Sequence, residues 1–295
     1  MTGLIAPRRA LLVANPGSRR GSEALRPVES VFAERGIALV PIDPSDRETL
    51  TNRLCDQATG ADLIVAVGGD GTANSVAAAT FRTGLPLGLI PAGTANDLAR
   101  TLGLPLDPAE AARVIAAGRL KAIDLGDVNG AFFFNVASLG LSVKLADKLS
   151  STSKKRWGRL GYLWALVRAL AEARPFHAAI TDADGHTILV RTLQIAVGNG
   201  RHYGGGMVVE QGADINDGQL DLYSLEFKAV WKLLAIAGSF PTGRHGLSPD
   251  VRTLRGRRFE IATRRAKSIN MDGEVLGATP AVFTVHPAAI QMIVP

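Results

Sequence analysis

Cysteine is almost absent: Cys55 is the single thiol among 295 residues. That excludes an internal disulfide framework and fits a reducing compartment. Leu50, Leu54 and Gln57 surround it at helical spacing, so the thiol reads as an inert packed side chain. No stretch approaches the ~18 consecutive apolar residues of a spanning helix. The opening "MTGLIAPRRALLVANPG" breaks at Asn15-Pro16 without a small-residue cleavage site, and is expected to form the first strand of a soluble, cytoplasmic protein. Two common nucleotide signatures are missing: no Gly-Lys-Ser/Thr follows a glycine loop, and G-x-G-x-x-G does not occur. The five histidines, at 177, 186, 202, 245 and 286, lack metal-ligand spacing, and no Ser/His/Asp arrangement stands out.

The chain is 46% hydrophobic and 20% charged, enough to bury a core and too apolar for disorder. Its length suits one large domain or two ordinary ones. Thirty-two glycines point to many tight turns and close backbone approaches. The net charge of +6 favours anionic partners such as nucleotides, nucleic acid or acidic membrane, without choosing among them.

The first 125 residues alternate between two patterns. "RALLVANP", "IALVPI", "ADLIVAVGG" and "LPLGLIPAG" are continuous apolar runs that read as buried strands. "SEALRPVESVFAERG", "RETLTNRLCDQATG", "TANSVAAATFRTG" and "TANDLARTLG" have helical spacing between and after them. This predicts an α/β domain with a parallel sheet covered on both faces, over residues 1–127. After Lys121 short strands take over, with hairpin turns at Asn129-Gly130 and Asp184-Gly185. Residues 128–287 are therefore expected to be mostly antiparallel β, interrupted by the helical stretches "RLGYLWALVRALAEA" and "KAVWKLLAIAGSF".

Open parallel sheets bind ligands beyond the C-terminal ends of their strands. Three loops sit there: "NPGSRRG" (15–21), "GGDGTAN" (68–74) and "PAGTAND" (91–97). Two of them lead straight into a helix, whose first N–H groups favour phosphate oxygens. A nucleoside triphosphate is the natural guest, although an ordinary strand-to-helix turn explains any one loop alone. Gly68, Gly69 and Gly71 mark a turn that only glycine would tolerate, with a helix beginning at Thr72. Asp70 lies where a phosphate would, so a cation or basic side chain must bridge the two. Asp97 and Asp124 are candidates to share that task, or else cap and turn carboxylates. Late in the chain, "DGE" (272–274) supplies two carboxylates around a glycine, either an acid–base pair or a plain hairpin turn. "DINDGQLDL" (214–222) is not an EF-hand, since no Glu follows at the twelfth position. Arg201 and Tyr203 lie in "GNGRHYGGGM", where glycines permit close approach to a ligand.

"GGDGT", "PAGTANDLAR" and "NMDGE" (270–274) together resemble the bacterial diacylglycerol-kinase-type lipid kinases, a family that includes sphingosine and ceramide kinases. "NPGS", "GNGRHYGGGM" (198–207) and "INDGQLDLYSL" (215–225) extend the resemblance over nearly the whole chain. It implies a nucleotide domain and a C-terminal β-sandwich, with ATP and a lipid acceptor meeting between them and the last strand, 288–295, returning to the first domain. It implies ATP contacts from Asn15, Pro16, Gly17, Gly68, Gly69, Asp70, Gly71, Thr72, Asn74, Thr94, Asn96 and Asp97. The catalytic residues would be Glu274 as proton acceptor, Asp272 beside it, and Asp70. A catalytic Mg²⁺ would arrive with ATP. A structural Mg²⁺ would be held by the Asp217 side chain and the backbone carbonyls of Asp214 and Gln219, an Asx turn being the plainer reading. Family members often carry a nucleotide-contacting Thr where this chain has Pro41, which has no hydroxyl. The implied role is lipid phosphorylation in phospholipid biosynthesis. An NAD kinase, which shares "GGDGT", and a non-catalytic nucleotide- or lipid-binding homologue are the alternatives. A homodimer stays open, and no nucleic-acid motif is present.

In "SKKRWGRLGYLWALVRALAEARP" (153–175), basic residues adjoin Trp157, Tyr162 and Trp164, which suits peripheral contact with an anionic membrane. The other reading is a helix packed on the sandwich with a solvated basic end. A second basic cluster, 252–267, reads as an exposed strand face. Each basic residue near an anionic surface contributes on the order of 1 kcal/mol. Replacing Lys154, Lys155, Arg156 and Arg159 with Gln is expected to weaken sedimentation with anionic vesicles, most at low salt. Turnover on a water-soluble short-chain acceptor should hold. Unaltered sedimentation would reject the membrane role.

Overall fold

The computed structural model describes residues 3–14, 19–43, 46–141, 174–200, 202–203, 207–208, 214–226 and 250–295. The chain first builds β1 (Gly3–Leu4), β2 (Arg9–Ala14), α1 (Arg19–Glu34), β3 (Ala38–Ile42), α2 (Arg47–Asp56), β4 (Leu63–Gly68), α3 (Asp70–Thr83), β5 (Leu87–Pro91), α4 (Asp97–Leu102), α5 (Pro108–Ala117) and β6 (Arg119–Val128). Strands follow: β7 (Ala131–Phe133), β8 (Val136–Gly140), β9 (Phe176–Thr181), β10 (Thr187–Thr192), β11 (Gln194–Gly198), β12 (His202–Tyr203), β13 (Met207–Val208), β14 (Leu220–Leu225), β15 (Val251–Gly256), β16 (Arg258–Thr263), β17 (Ser268–Met271), β18 (Glu274–Ala278) and β19 (Ala281–Ile293). The helical stretches expected at 159–173 and 228–240 lie outside the described residues.

β3, β2, β4 and β5 are parallel neighbours in that order. Their continuous apolar runs follow from burial on both faces. In β4, Leu63, Val65 and Val67 pack towards α1 and α5, while Ile64 and Ala66 pack towards α2, α3 and α4. The chain runs outward from β2 to β3, then crosses back to β4. The crevice above the C-terminal ends of β2 and β4 is therefore the switch point where such sheets bind ligands.

The second core lies between two antiparallel layers. One is the six-stranded sheet β15-β14-β11-β8-β17-β18, contributing Leu139, Ile195, Leu222 and Ile269. The other is β10-β9-β16-β19, contributing Ile180, Phe259, Ile261 and Phe283. This second layer belongs to the same eleven-stranded sheet as the parallel strands. β19 makes the join: residues 281–284 pair with β16, 290–293 pair with β6, and Met292 stands opposite Leu87 of β5. The helices and the sandwich thus share one hydrogen-bonded frame.

β19 changes register against β6 between His286 and Ile290, with Ala288 at φ +51°. Asp124 of β6, only 2% exposed, sits opposite this bulge. Its carboxylate accepts the N–H of Ala288 (2.7 Å) and that of Gly218 (2.6 Å), and its own N–H donates to Ile215 O (2.8 Å). Asp124 is thus a clamp for the bulge and the 214–219 loop. That corrects the expectation that it shares cation bridging with Asp70. Asp124→Asn should replace one acceptor with a donor facing a buried N–H, a loss of about 1–3 kcal/mol. A lowered urea midpoint at unchanged m-value would check it. An unshifted midpoint would deny the clamp its role.

Candidate active site

α3 begins at Asp70, two residues before the expected start, with Gly69 as its N-cap. None of Gly68, Gly69 and Gly71 has a positive φ. Glycine is needed here for contact rather than for conformation, which corrects the expected reason. A Cβ on Gly93 would stand 2.5 Å from the Gly69 Cα and 2.7 Å from Asn96 Oδ1. The β4–α3 and β5–α4 loops therefore meet backbone to backbone, sealed by Ala92 N–H donating to Gly68 O (2.8 Å). A Cβ on Gly71 would stand 2.7 Å from Glu274 Oε1. By helix geometry the N–H groups of Asp70 and Gly71 have no intrahelical partner. The helix end is positive there and suits an anion.

Asp70 accepts the N–H groups of Asp97 (3.1 Å) and Leu98 (2.9 Å), one on each oxygen. It caps α4, whose own N-cap, Asn96, makes no side-chain cap. Asn96 instead folds back on Gly93, accepting its N–H (2.9 Å) and donating to its carbonyl (3.1 Å). Thr72 is half-buried over Gly68, Thr94 is exposed, and Asp97 is buried at the start of α4.

Asn74 is 3% exposed. Its amide nitrogen donates to Phe132 O (2.9 Å) and Asp272 Oδ2 (3.0 Å), and its oxygen accepts from Arg47 Nη1 (2.7 Å). Asn74 is thus a joint within the chain. Arg47, the first residue of α2, also pairs through Nη2 with Glu274 Oε2. Arg47 holds one carboxylate oxygen of Glu274 while the other lies against Gly71.

Asp272 and Gly273, at φ +48° and +99°, form the two-residue turn between β17 and β18. The hairpin reading of "DGE" and the acid-pair reading both describe it. The Asp272 carboxylate turns inward and accepts four hydrogen bonds. They come from the N–H groups of Phe134 (2.7 Å), Asn135 (3.0 Å) and Val136 (3.1 Å), and from the Asn74 amide (3.0 Å). Burial pushes this carboxyl up to about 6, against the opposing pull of those four donors. Beside it, the side-chain oxygens of Asn135 and Asn199, each 2% exposed, have no hydrogen-bond partner among the described residues. They are buried acceptors that a hydroxyl donor would complete.

The family model for the diacylglycerol kinase catalytic domain matches residues 9–128, and that for the YegS C-terminal NAD kinase beta sandwich-like domain matches 135–294. A diacylglycerol kinase of Mycobacterium tuberculosis (strain H37Rv) is 33% identical, over 96% of this chain and 94% of that protein. The chain belongs to the diacylglycerol kinase family. A YegS-like lipid kinase of Pseudomonas aeruginosa (strain PAO1) is 32% identical, over 97% of this chain and 94% of its own. A crystal structure from Bacillus anthracis (strain Sterne), assigned as a diacylglycerol kinase, superposes at a TM-score of 0.81 with 26% identity, covering 99% of this chain and 97% of that one. Yeast NADH kinase shares the fold at a TM-score of 0.56 and 12% identity, over 98% of this chain and 84% of that one.

Within this kinase-family frame, α3 brings together Gly69, Asp70, Gly71, Asn74, Asp272 and Glu274. Asn15, Pro16, Gly17 and Arg201, and the side chain of Tyr203, lie outside the described residues, as does 153–175 up to residue 173. Among the described residues no helix is long and apolar enough to cross a membrane. The basic 252–267 segment runs through β15 and β16, in different sheets, with Phe259 and Ile261 buried and its arginines towards solvent, Arg252 paired to Glu226 and Arg258 to Glu260. The expected metal loop is the Asx turn instead: Asp217 accepts the N–H groups of Gln219 (2.9 Å) and Asp214 (3.3 Å) and pairs with Arg255. A carboxylate whose described partners are all donors is a poor ligand for a structural Mg²⁺. Sequence reasoning missed Arg47. Its one local signal is the Asp46 cap that opens α2, bonded to Thr49 N–H (3.0 Å).

In the folded chain Asp272 takes its proton near pH 6, against 3.8 when unfolded. Between these values the folded state binds more protons, so this group makes stability fall as pH rises from about 4 to about 6. Activity should run the other way, rising through about pH 6 as the ionised carboxylate orders residues 134–136. Urea midpoints and kcat/KM across pH 4–7 should lose both features in Asp272→Asn. A wild-type profile flat through pH 6 would contradict the assignment.

Proposed function

We propose that the chain is an ATP-dependent lipid kinase that transfers the γ-phosphoryl group to a lipid hydroxyl, of diacylglycerol or a related lipid. The observation that carries this reading is Glu274 held by Arg47 against Gly71, in the first turn of α3. It joins a carboxylate base to an anion-binding helix end from positions 203 residues apart in the chain. The nucleotide lies across the β2–β4 crevice, its terminal phosphate at the start of α3. The acceptor oxygen bonds to the γ-phosphorus as the bond to the departing ADP oxygen breaks, and Glu274 takes the hydroxyl proton. Asp272 acts as a positioning residue, through the four hydrogen bonds that fix the turn carrying Glu274.

Mg²⁺ suits this site because half-exposed Asp70 accepts only one N–H on each oxygen and so has acceptor capacity left, and Mg²⁺ takes carboxylate together with phosphate oxygens. When bound, it screens the charge of the phosphates. The enzyme works in the cytoplasm and meets its lipid peripherally, at an anionic membrane, through residues 153–175.

A radiolabelled-ATP assay over diacylglycerol, sphingoid base, ceramide, phosphatidylglycerol and NAD tests the proposal. Label should enter one lipid and not NAD. Glu274→Gln should lower kcat by roughly 10²-fold or more with ATP affinity little changed. Asp70→Asn should stay folded and lose most activity. Labelled NAD, or a fully active Glu274→Gln enzyme, would refute this mechanism.

A further inference from the structure

We propose that Arg255 stands where a structural cation would brace the 214–219 loop, so that the β-sandwich of this chain holds its shape without Mg²⁺. Arg255 on β15 is the register partner of Asp221 on β14. From that position Nη2 pairs with Asp217 and Nε lies 3.5 Å from Asp221 Oδ1. The guanidinium spans two carboxylates that are only 21% and 14% exposed. Its planar fork and fixed charge suit that task better than a lysine would. The other oxygen of Asp217 accepts the N–H of Gln219 (2.9 Å), and the Asp214 N–H (3.3 Å) shares the oxygen that Arg255 holds.

Among the described residues, every polar partner of the Asp217 carboxylate is thus a donor. A divalent cation needs a shell of oxygens and would be repelled by the guanidinium beside it. The loop has a second anchor as well, since Gly218 N–H and Ile215 O both bond to Asp124. Two acidic side chains with one arginine between them leave a latent cation site that the arginine occupies. This inference concerns the sandwich alone and does not rest on the kinase reading.

The test uses nucleotide-free full-length protein. Wild type should melt at the same temperature in EDTA and in millimolar Mg²⁺. Arg255→Gln should melt about 2–4 °C lower in EDTA and regain the loss as Mg²⁺ is added, because the freed carboxylates then bind it by mass action. Arg255→Lys should fall between the two. Wild type that gains several degrees with Mg²⁺, or Arg255→Gln that melts like wild type in both buffers, would overturn the proposal. Paramagnetic resonance of Mn²⁺ added to wild type gives a second reading. Bound Mn²⁺ that disappears in Asp217→Asn would also overturn it. No bound ion, or one that survives Asp217→Asn, supports it.

Discussion

The ionised carboxylate of Asp272 is the constraint on which the site depends. It is half-buried, and desolvation raises its pKa. Three backbone N–H groups and the Asn74 amide oppose that cost. Those donors come from two places: α3 of the parallel layer, and residues 134–136, where the chain enters the sandwich. One side chain therefore sets the spacing between a helix end and a hairpin. Apolar packing could hold the two layers together with many small offsets. A carboxylate with four directional bonds fixes one arrangement.

Glu274 inherits its place from that arrangement. The turn at Asp272-Gly273 carries it to the start of α3, and Arg47 fixes its side chain from the opposite bank. The glycines complete the fit by absence of side chain. Gly69 and Gly93 let two loops touch, and Gly71 leaves room for the Glu274 carboxylate. Behind the site, β19 gives both layers one continuous sheet, and Asp124 stabilises the bulge where the strand changes partners. Rigid backbone thus surrounds a small set of charged groups, as phosphoryl transfer demands when most of the catalysis is positioning.

Arginine is the partner of two of these carboxylates. Arg47 meets Glu274 and Arg255 meets Asp217, each from an element distant in sequence. A guanidinium keeps its charge at every pH at which the protein is folded and has donors to share between two acceptors. Arg47 uses them on Asn74 and Glu274, and Arg255 on Asp217 and Asp221.

The strands and helices of residues 9–102, the parallel pairing, the antiparallel second half and the Asn129-Gly130 turn were legible in the sequence alone, whereas α5 and the order of the strands were not. Periodicity records which side of an element is buried, and turn residues record local backbone needs; both are short-range properties. The same holds for the turns in "GGDGT" and "MDGE", which their glycines mark. Only the tertiary structure decided the rest. It decided that α3 starts at Asp70, that its glycines serve contact rather than positive φ, and that Asp124 clamps a bulge. It turned Asp217 towards an arginine, Asn74 towards Asp272, and Arg47 towards Glu274. The last two contacts join residues 198 and 227 positions apart. No local pattern encodes such a pair, because the sheet order that brings its members together is a property of the whole chain.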